Sequence, residues 1–166
     1  MTSVFKWDWL VRLTHWLVAA LFLANYFALE EGSELHEWAG YTILAAIAVR
    51  LLWGIVCDSP ARLSRFWPSP KAAVDHIKHA LLERNDNHQG HNPAAAVMIW
   101  LLWLMIILTA SSGWLMESDL FWGEEWLEEV HEVLANVTFI LVTIHVSAVI
   151  VMSKLNRRDY IKSMLP

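Results

Sequence analysis

The chain has 166 residues, of which 57% are hydrophobic and 17% are charged, with a formal net charge of −5. Soluble domains carry about 25% charged residues. The composition therefore favours a membrane protein and argues against a disulfide-rich secreted scaffold, a disordered segment and a nucleic-acid-binding protein. The single cysteine, Cys57, permits no internal disulfide.

Four apolar stretches are each long enough to cross a bilayer, which takes roughly 20 mostly apolar residues in a helix. In chain order they cover residues 9–29, 38–57, 94–116 and 130–152. Four buried helices of a soluble protein are the alternative, but too few polar residues would be left to cover them. The first stretch lacks a small-residue cleavage site, so it is expected to stay as a span. The sequence thus predicts an all-α integral membrane four-helix bundle in one domain.

The charged residues divide between the two ends of this bundle. All twelve bases lie at the N-terminus, in or after the second span, or in the tail: Lys6, Arg12, Arg50, Arg62, Arg65, Lys71, Lys78, Arg84, Lys154, Arg157, Arg158 and Lys162. The opposite side carries eleven acids and no base: Glu30, Glu31, Glu34, Glu37, Glu117, Asp119, Glu124, Glu125, Glu128, Glu129 and Glu132. Because bases are retained on the cytoplasmic side, both termini and the loop 58–93 are predicted to be cytoplasmic.

Within that loop, apolar residues recur at helical spacing between Pro70 and Arg84, at Val74, Ile77 and Leu81. This pattern predicts a short amphipathic helix that lies on the inner membrane surface. The histidines of the loop are expected on a solvated or interfacial polar face: His76, His79, His88 and His91.

The other four histidines lie within or at the edge of spans, where ionisable residues are costly and often functional. His15 and His145 lie at one inner depth, and His36 and His131 lie at one outer depth. His131 and His145 are 14 residues apart. This separation is just under four helical turns, so both rings face one side of their helix, roughly 21 Å apart along its axis.

Two haems of the b type need such a pattern, with two neutral imidazoles on facing helices for each haem and an apolar gap between them. The matched depths predict His15 with His145 as ligands of an inner haem, and His36 with His131 as ligands of an outer haem. The alternative is four packing histidines whose depths agree by coincidence. Zinc is a weaker candidate, because no cysteine or carboxylate accompanies the pairs at tetrahedral spacing.

Two arginines lie near the depth of the inner haem. Arg50 follows His36 by 14 residues, and Arg12 precedes His15 by about one turn. Each guanidinium suits a haem propionate, because its planar fork matches a carboxylate. The alternative is that each side chain extends to the inner headgroups.

Several motifs resemble those of the prokaryotic cytochrome b561 and nickel-iron-hydrogenase b-type cytochrome family. They are Trp7-Asp8, Arg12-Leu13-Thr14-His15-Trp16, His36-Glu37-Trp38-Ala39-Gly40-Tyr41, Arg50-Leu51-Leu52-Trp53-Gly54 and Gly90-His91-Asn92-Pro93. The resemblance covers nearly the whole chain and implies a four-helix bundle in the bacterial inner membrane, with two b haems that exchange electrons with quinone. Carried over by position, it implies the haem ligands His15, His36, His131 and His145. It also implies a structural role for the Gly90-His91-Asn92-Pro93 segment at the mouth of the third span.

Together these observations predict a dihaem b-type cytochrome that transfers electrons between the quinone pool and a periplasmic redox partner. The acidic outer face suits a basic c-type cytochrome, or a haem subunit of a larger complex. Such a chain is either an electron carrier or the quinone-reactive subunit of an oxidoreductase. Membrane lipid is an expected contact, and a homodimer is compatible with so small a bundle.

Two other functions are alternatives. One is a superoxide:quinone oxidoreductase, an activity found in the family that the chain resembles. It is disfavoured here because an acidic outer face without bases repels the superoxide anion. The other is a haem-free membrane anchor subunit, which requires the pairing of the histidines to be accidental.

Overall fold

The computed structural model describes residues 6–83, 90–156 and 159–165. These residues form helices and turns, without a strand. The helices are α1 (Trp9–Phe27), α2 (Glu34–Val56), α3 (Pro70–Glu83), α4 (Pro93–Met116), α5 (Glu125–Leu155) and α6 (Tyr160–Met164), and a 3-10 turn, Leu63–Arg65, lies between α2 and α3.

Four of these helices, α1, α2, α4 and α5, are long and apolar enough to cross a membrane. The all-α, four-span prediction is therefore confirmed. Three of them begin at a side-chain cap: Asp8 accepts from the Val11 amide, Ser33 from the His36 amide and Asn92 from the Ala95 amide. Such caps satisfy amide groups that have no partner inside the first turn.

Two of the spanning helices begin before the predicted positions, α2 at Glu34 instead of residue 38 and α5 at Glu125 instead of residue 130. The sequence prediction stopped at these acids because charged residues do not lie in an apolar span. Glu34, Glu37, Glu125 and Glu128 lie in the first turns of their helices. A negative charge there is favourable, because the helix dipole is positive at its N-terminus.

The spanning helices pack as a bundle, with α1 against α2, α2 against α4, and α4 against α5. At its centre Phe22, Ile43, Ile47 and Ile106 are buried together. Most other long apolar side chains point outward, and Ile140, for example, is 56% exposed. In a membrane protein, lipid covers such side chains.

The helices alternate in direction, so the bundle has two chemically different ends. The basic end holds the starts of α1 and α4, the ends of α2 and α5, and the segment 57–83. The acidic end holds the connections 28–33 and 117–124. There the Tyr41 hydroxyl donates to the Glu117 carboxylate. Among the bases counted above, Arg84, Arg157 and Arg158 lie outside the described residues.

The predicted amphipathic helix is present as α3, which packs against α4. Its small residues Ala73 and Ala80 are buried, whereas Val74, Ile77 and Leu81 are exposed. The apolar stripe therefore points away from the bundle. Its contact with the inner membrane surface stays a prediction.

Candidate functional site

The structure brings the four spanning histidines together in the two pairs that their depths predict. At the basic end, the rings of His15 on α1 and His145 on α5 have centroids 6.4 Å apart. At the acidic end, the rings of His36 on α2 and His131 on α5 have centroids 6.3 Å apart. The two pairs share α5, which presents one ring to each neighbour.

These separations leave room for one metal ion between the two rings of each pair. An imidazole nitrogen lies about 1.1 Å from its ring centroid and about 2.0 Å from a bound metal, so a shared metal places the centroids about 6.2 Å apart. Within the described ranges, no three side chains of His, Cys, Asp or Glu gather to hold a metal. A pair without further protein ligands fits haem iron, which the macrocycle also holds, better than zinc, which takes three or four protein ligands.

The ring of His131 is held in one tautomer. Its Nδ1 lies 3.0 Å from the Thr109 carbonyl oxygen and 3.0 Å from Ser112 Oγ. Because a carbonyl oxygen only accepts hydrogen bonds, Nδ1 must carry the proton. The other ring nitrogen, Nε2, is then unprotonated and available as a metal ligand.

The chain itself leaves other ring nitrogens of the pairs unsatisfied. His15 Nδ1 and His36 Nδ1 are buried and have no hydrogen-bond partner in the described part of the chain. A buried polar atom without a partner costs about 1–3 kcal/mol. The described chain therefore leaves one buried ring nitrogen in each pair without a hydrogen bond.

Glycines make space beside the acidic-end pair. A Cβ on Gly113 would lie 3.1 Å from His131 Cε1, a contact tight enough that the ring would have to move by a few tenths of an ångström. A Cβ on Gly40, one turn from His36, would meet nothing within 4 Å. This open space beside the pair suits a flat apolar group.

An aromatic layer separates the two pairs in the middle of the bundle. Tyr26 and Phe139 stack with centroids 4.4 Å apart and planes at 11°, and the buried Phe22 lies against Tyr26 at 6.1 Å. Phe139 lies between His131 and His145 along α5. These aromatic rings occupy the region between the two sites.

Arg50 lies inside the basic end and is only 5% exposed, so it does not extend to the headgroups. Its Nη2 donates to the Ala61 carbonyl at 3.1 Å, and its guanidinium lies 5.3 Å from the centroid of a Trp103 ring. Its Nη1 is buried without a partner in the described chain. One edge of the fork is thus free to bind an anionic group.

Arg12 has a different environment. Its Nη1 donates to the Leu165 carbonyl at 2.7 Å, and the neighbouring Trp16 Nε1 donates to the Met164 carbonyl at 2.9 Å. Both residues thereby fasten α6 to the start of α1. The Arg12 fork is engaged by the tail, although its buried Nε has no partner.

The expectation of a solvated face is wrong for His91. Its ring stacks on Trp7, with centroids 4.2 Å apart, and lies 4.3 Å from the ring of Phe66. Burial, with a further contribution from the positive charge of Arg50, lowers the pKa of His91 to about 3. In α3, His79 is exposed and His76 is half-buried. His88 lies outside the described residues.

The segment around His91 has the structural role that its motif implies. Gly90 has a φ of +92°, and a Cβ there would lie 3.1 Å from Pro60 Cβ. Asn92 caps α4, and Pro93 occupies its first turn. The segment therefore turns the chain and starts the third span.

Replacing His91 by phenylalanine is expected to flatten the pH dependence of stability. The pKa of His91 is lower in the folded chain, about 3, than in the unfolded chain, about 6.5. Protonation therefore favours unfolding. Each unit by which the pH falls below about 6.5 lowers the free energy of unfolding by about 1.4 kcal/mol. Thermal melts between pH 7.5 and 5 should show the wild-type Tm falling more steeply than that of His91→Phe. Parallel curves would contradict this assignment.

Sequence reasoning missed Thr109 and Ser112, which contact His131. For Ser112, the available signal was a hydroxyl residue in an otherwise apolar span. The Thr109 contact is made by a backbone carbonyl, which the residue type does not indicate.

A family model described as prokaryotic cytochrome b561 matches residues 6–166. No curated protein and no solved structure matches the chain significantly. The match covers every helix described above and both histidine pairs.

Proposed function

This chain belongs to the prokaryotic cytochrome b561 family, and we propose that it is a dihaem membrane cytochrome that passes electrons between the quinone pool and a periplasmic redox partner. One observation carries the proposal. Two histidine pairs face each other across one apolar bundle, with ring centroids 6.4 and 6.3 Å apart. Each separation fits one iron between two imidazoles.

In this function, His15 and His145 hold one haem b at the basic end, and His36 and His131 hold a second at the acidic end. Bound haem supplies a one-electron carrier at each site. The chain would supply two imidazoles to each haem, an apolar sheath and the aromatic layer between the sites. The unpartnered Nη1 of Arg50 supports binding of a propionate at the basic end. For Arg12, fastening the tail is a better-supported role than binding a propionate.

The distribution of charges supports the orientation. The basic end, which holds the start of α1 and the end of α5, faces the cytoplasm, and the acidic end faces the periplasm of a bacterial inner membrane. The apolar flanks of the bundle lie in the lipid phase, where quinone dissolves. The acidic end supports a basic c-type cytochrome, or a basic haem subunit of a larger complex, as the periplasmic partner.

The proposal is tested by following the haem absorbance of the chain in liposomes. A short-chain quinol should reduce the haems, and a basic cytochrome c added outside should then oxidise them. Reduction by superoxide but not by quinol would favour the superoxide:quinone oxidoreductase. A purified chain without a haem spectrum would favour the haem-free anchor.

A further inference from the structure

The two histidine pairs differ in the hydrogen bonds that their rings make. The His131 Nδ1–H group is shared between the Thr109 carbonyl and Ser112 Oγ, each at 3.0 Å. At His15 and His36, the buried Nδ1 atoms have no partner among the described residues. Of these three rings, only that of His131, at the acidic end, has its N–H group bound by oxygen atoms of the described chain.

Further hydrogen bonds fix these two oxygen atoms in place. The Ser112 hydroxyl donates to the Thr109 carbonyl at 2.8 Å, so its lone pairs face His131. The Thr109 hydroxyl lies 3.2 Å from the hydroxyl of Thr138, which is fully buried on α5. The contact between Thr109 and Thr138 joins α4 to α5 near the two acceptors.

An acceptor on the outer nitrogen makes an imidazole more basic. A more basic ligand stabilises ferric iron more than ferrous iron, and it therefore lowers the reduction potential of a bound haem.

The charges at the two ends of the bundle also lower the reduction potential of the acidic-end haem relative to the other. The acidic end carries acids without bases, and a negative field also favours the ferric form. At the basic end the guanidinium of Arg50, 5% exposed, favours the ferrous form and raises the potential. The ligand hydrogen bond and the charges thus both predict a lower reduction potential at the acidic end.

We propose that Ser112 and the Thr109 carbonyl position His131 and, by binding its Nδ1–H group, make the acidic-end haem the lower-potential haem of the two. Ser112 is a positioning residue, since it acts through His131. The inference rests on the proposed function, because it requires both haems. Its consequence is that an electron shared by the haems resides mainly at the basic end.

The first test is a potentiometric titration of the haem absorbance in the purified wild-type chain and in two variants that each keep one haem. His36→Ala should keep the haem of higher potential, and His15→Ala should keep the haem of lower potential. The reverse order would overturn the inference.

The second test compares Ser112→Ala with Ser111→Ala. Ser111 is its neighbour on α4, and no hydrogen bond from it to a histidine is found in the described chain. Ser112→Ala removes one of the two acceptors of His131 Nδ1, so it should shift the lower midpoint potential upward and leave the higher one in place. Ser111→Ala should shift neither. Equal shifts of both potentials in Ser112→Ala, or no shift at unchanged haem content, would overturn the inference.

Haem content measured in the same samples separates this inference from the proposed function. A wild-type chain that holds fewer than two haems overturns both. A chain with two haems in which the acidic-end haem has the higher potential overturns only the role of Ser112 and Thr109.

Discussion

Replacing His131 by alanine is expected to halve the haem content of the purified chain, from two haems to one. Each iron needs both imidazoles of its pair, and the rings of His36 and His131 face each other at 6.3 Å. His36→Ala should therefore remove the same haem. His15→Ala and His145→Ala should remove the other one, because those rings face each other at 6.4 Å. Pyridine haemochrome absorbance against total protein measures the content.

The identity of the lost haem is read from the midpoint potential that disappears. His79→Ala is the matched control, because His79 is exposed on α3, and it should keep both haems. Loss of the same haem in His15→Ala and His36→Ala would contradict the pairing, since these residues lie at opposite ends of the bundle.

Neutralising the acidic end is expected to slow electron exchange with a basic cytochrome c by about tenfold or more at low ionic strength. Glu124, Glu125, Glu128 and Glu129 are all exposed around the start of α5. Their replacement by glutamine removes four negative charges that attract a basic partner. The difference should shrink at high salt, because exposed charges are then screened. Stopped-flow absorbance at several salt concentrations measures the rates.

A small anionic oxidant, ferricyanide, provides the control for this fourfold variant. Its rate should rise, because the variant repels anions less. Slower reaction with both oxidants would indicate damage to the haem site and not lost attraction. Equal rates of wild type and variant with cytochrome c at low salt would contradict a steering role for the acidic end.

The spans and the pairing of the histidines could be predicted because both follow from regular helix geometry. A span requires a fixed apolar length, and residues 14 positions apart return to one face of a helix. The depths alone therefore pair His15 with His145 and His36 with His131. The family resemblance, confirmed by the match over residues 6–166, selected the same four residues.

The features that the sequence did not predict depend on contacts between distant segments. His91 is enclosed by Trp7 and Phe66, and no local pattern brings these three residues together. Arg12 reaches the tail at Leu165 for the same reason. Ser112 and Thr109 acquire their role only because α4 packs beside His131.

The most direct test of the central claim is the number of b haems per purified chain, measured by pyridine haemochrome absorbance against total protein. The account predicts two haems per chain, one for each histidine pair. One haem, or none, in the intact wild-type chain would contradict it.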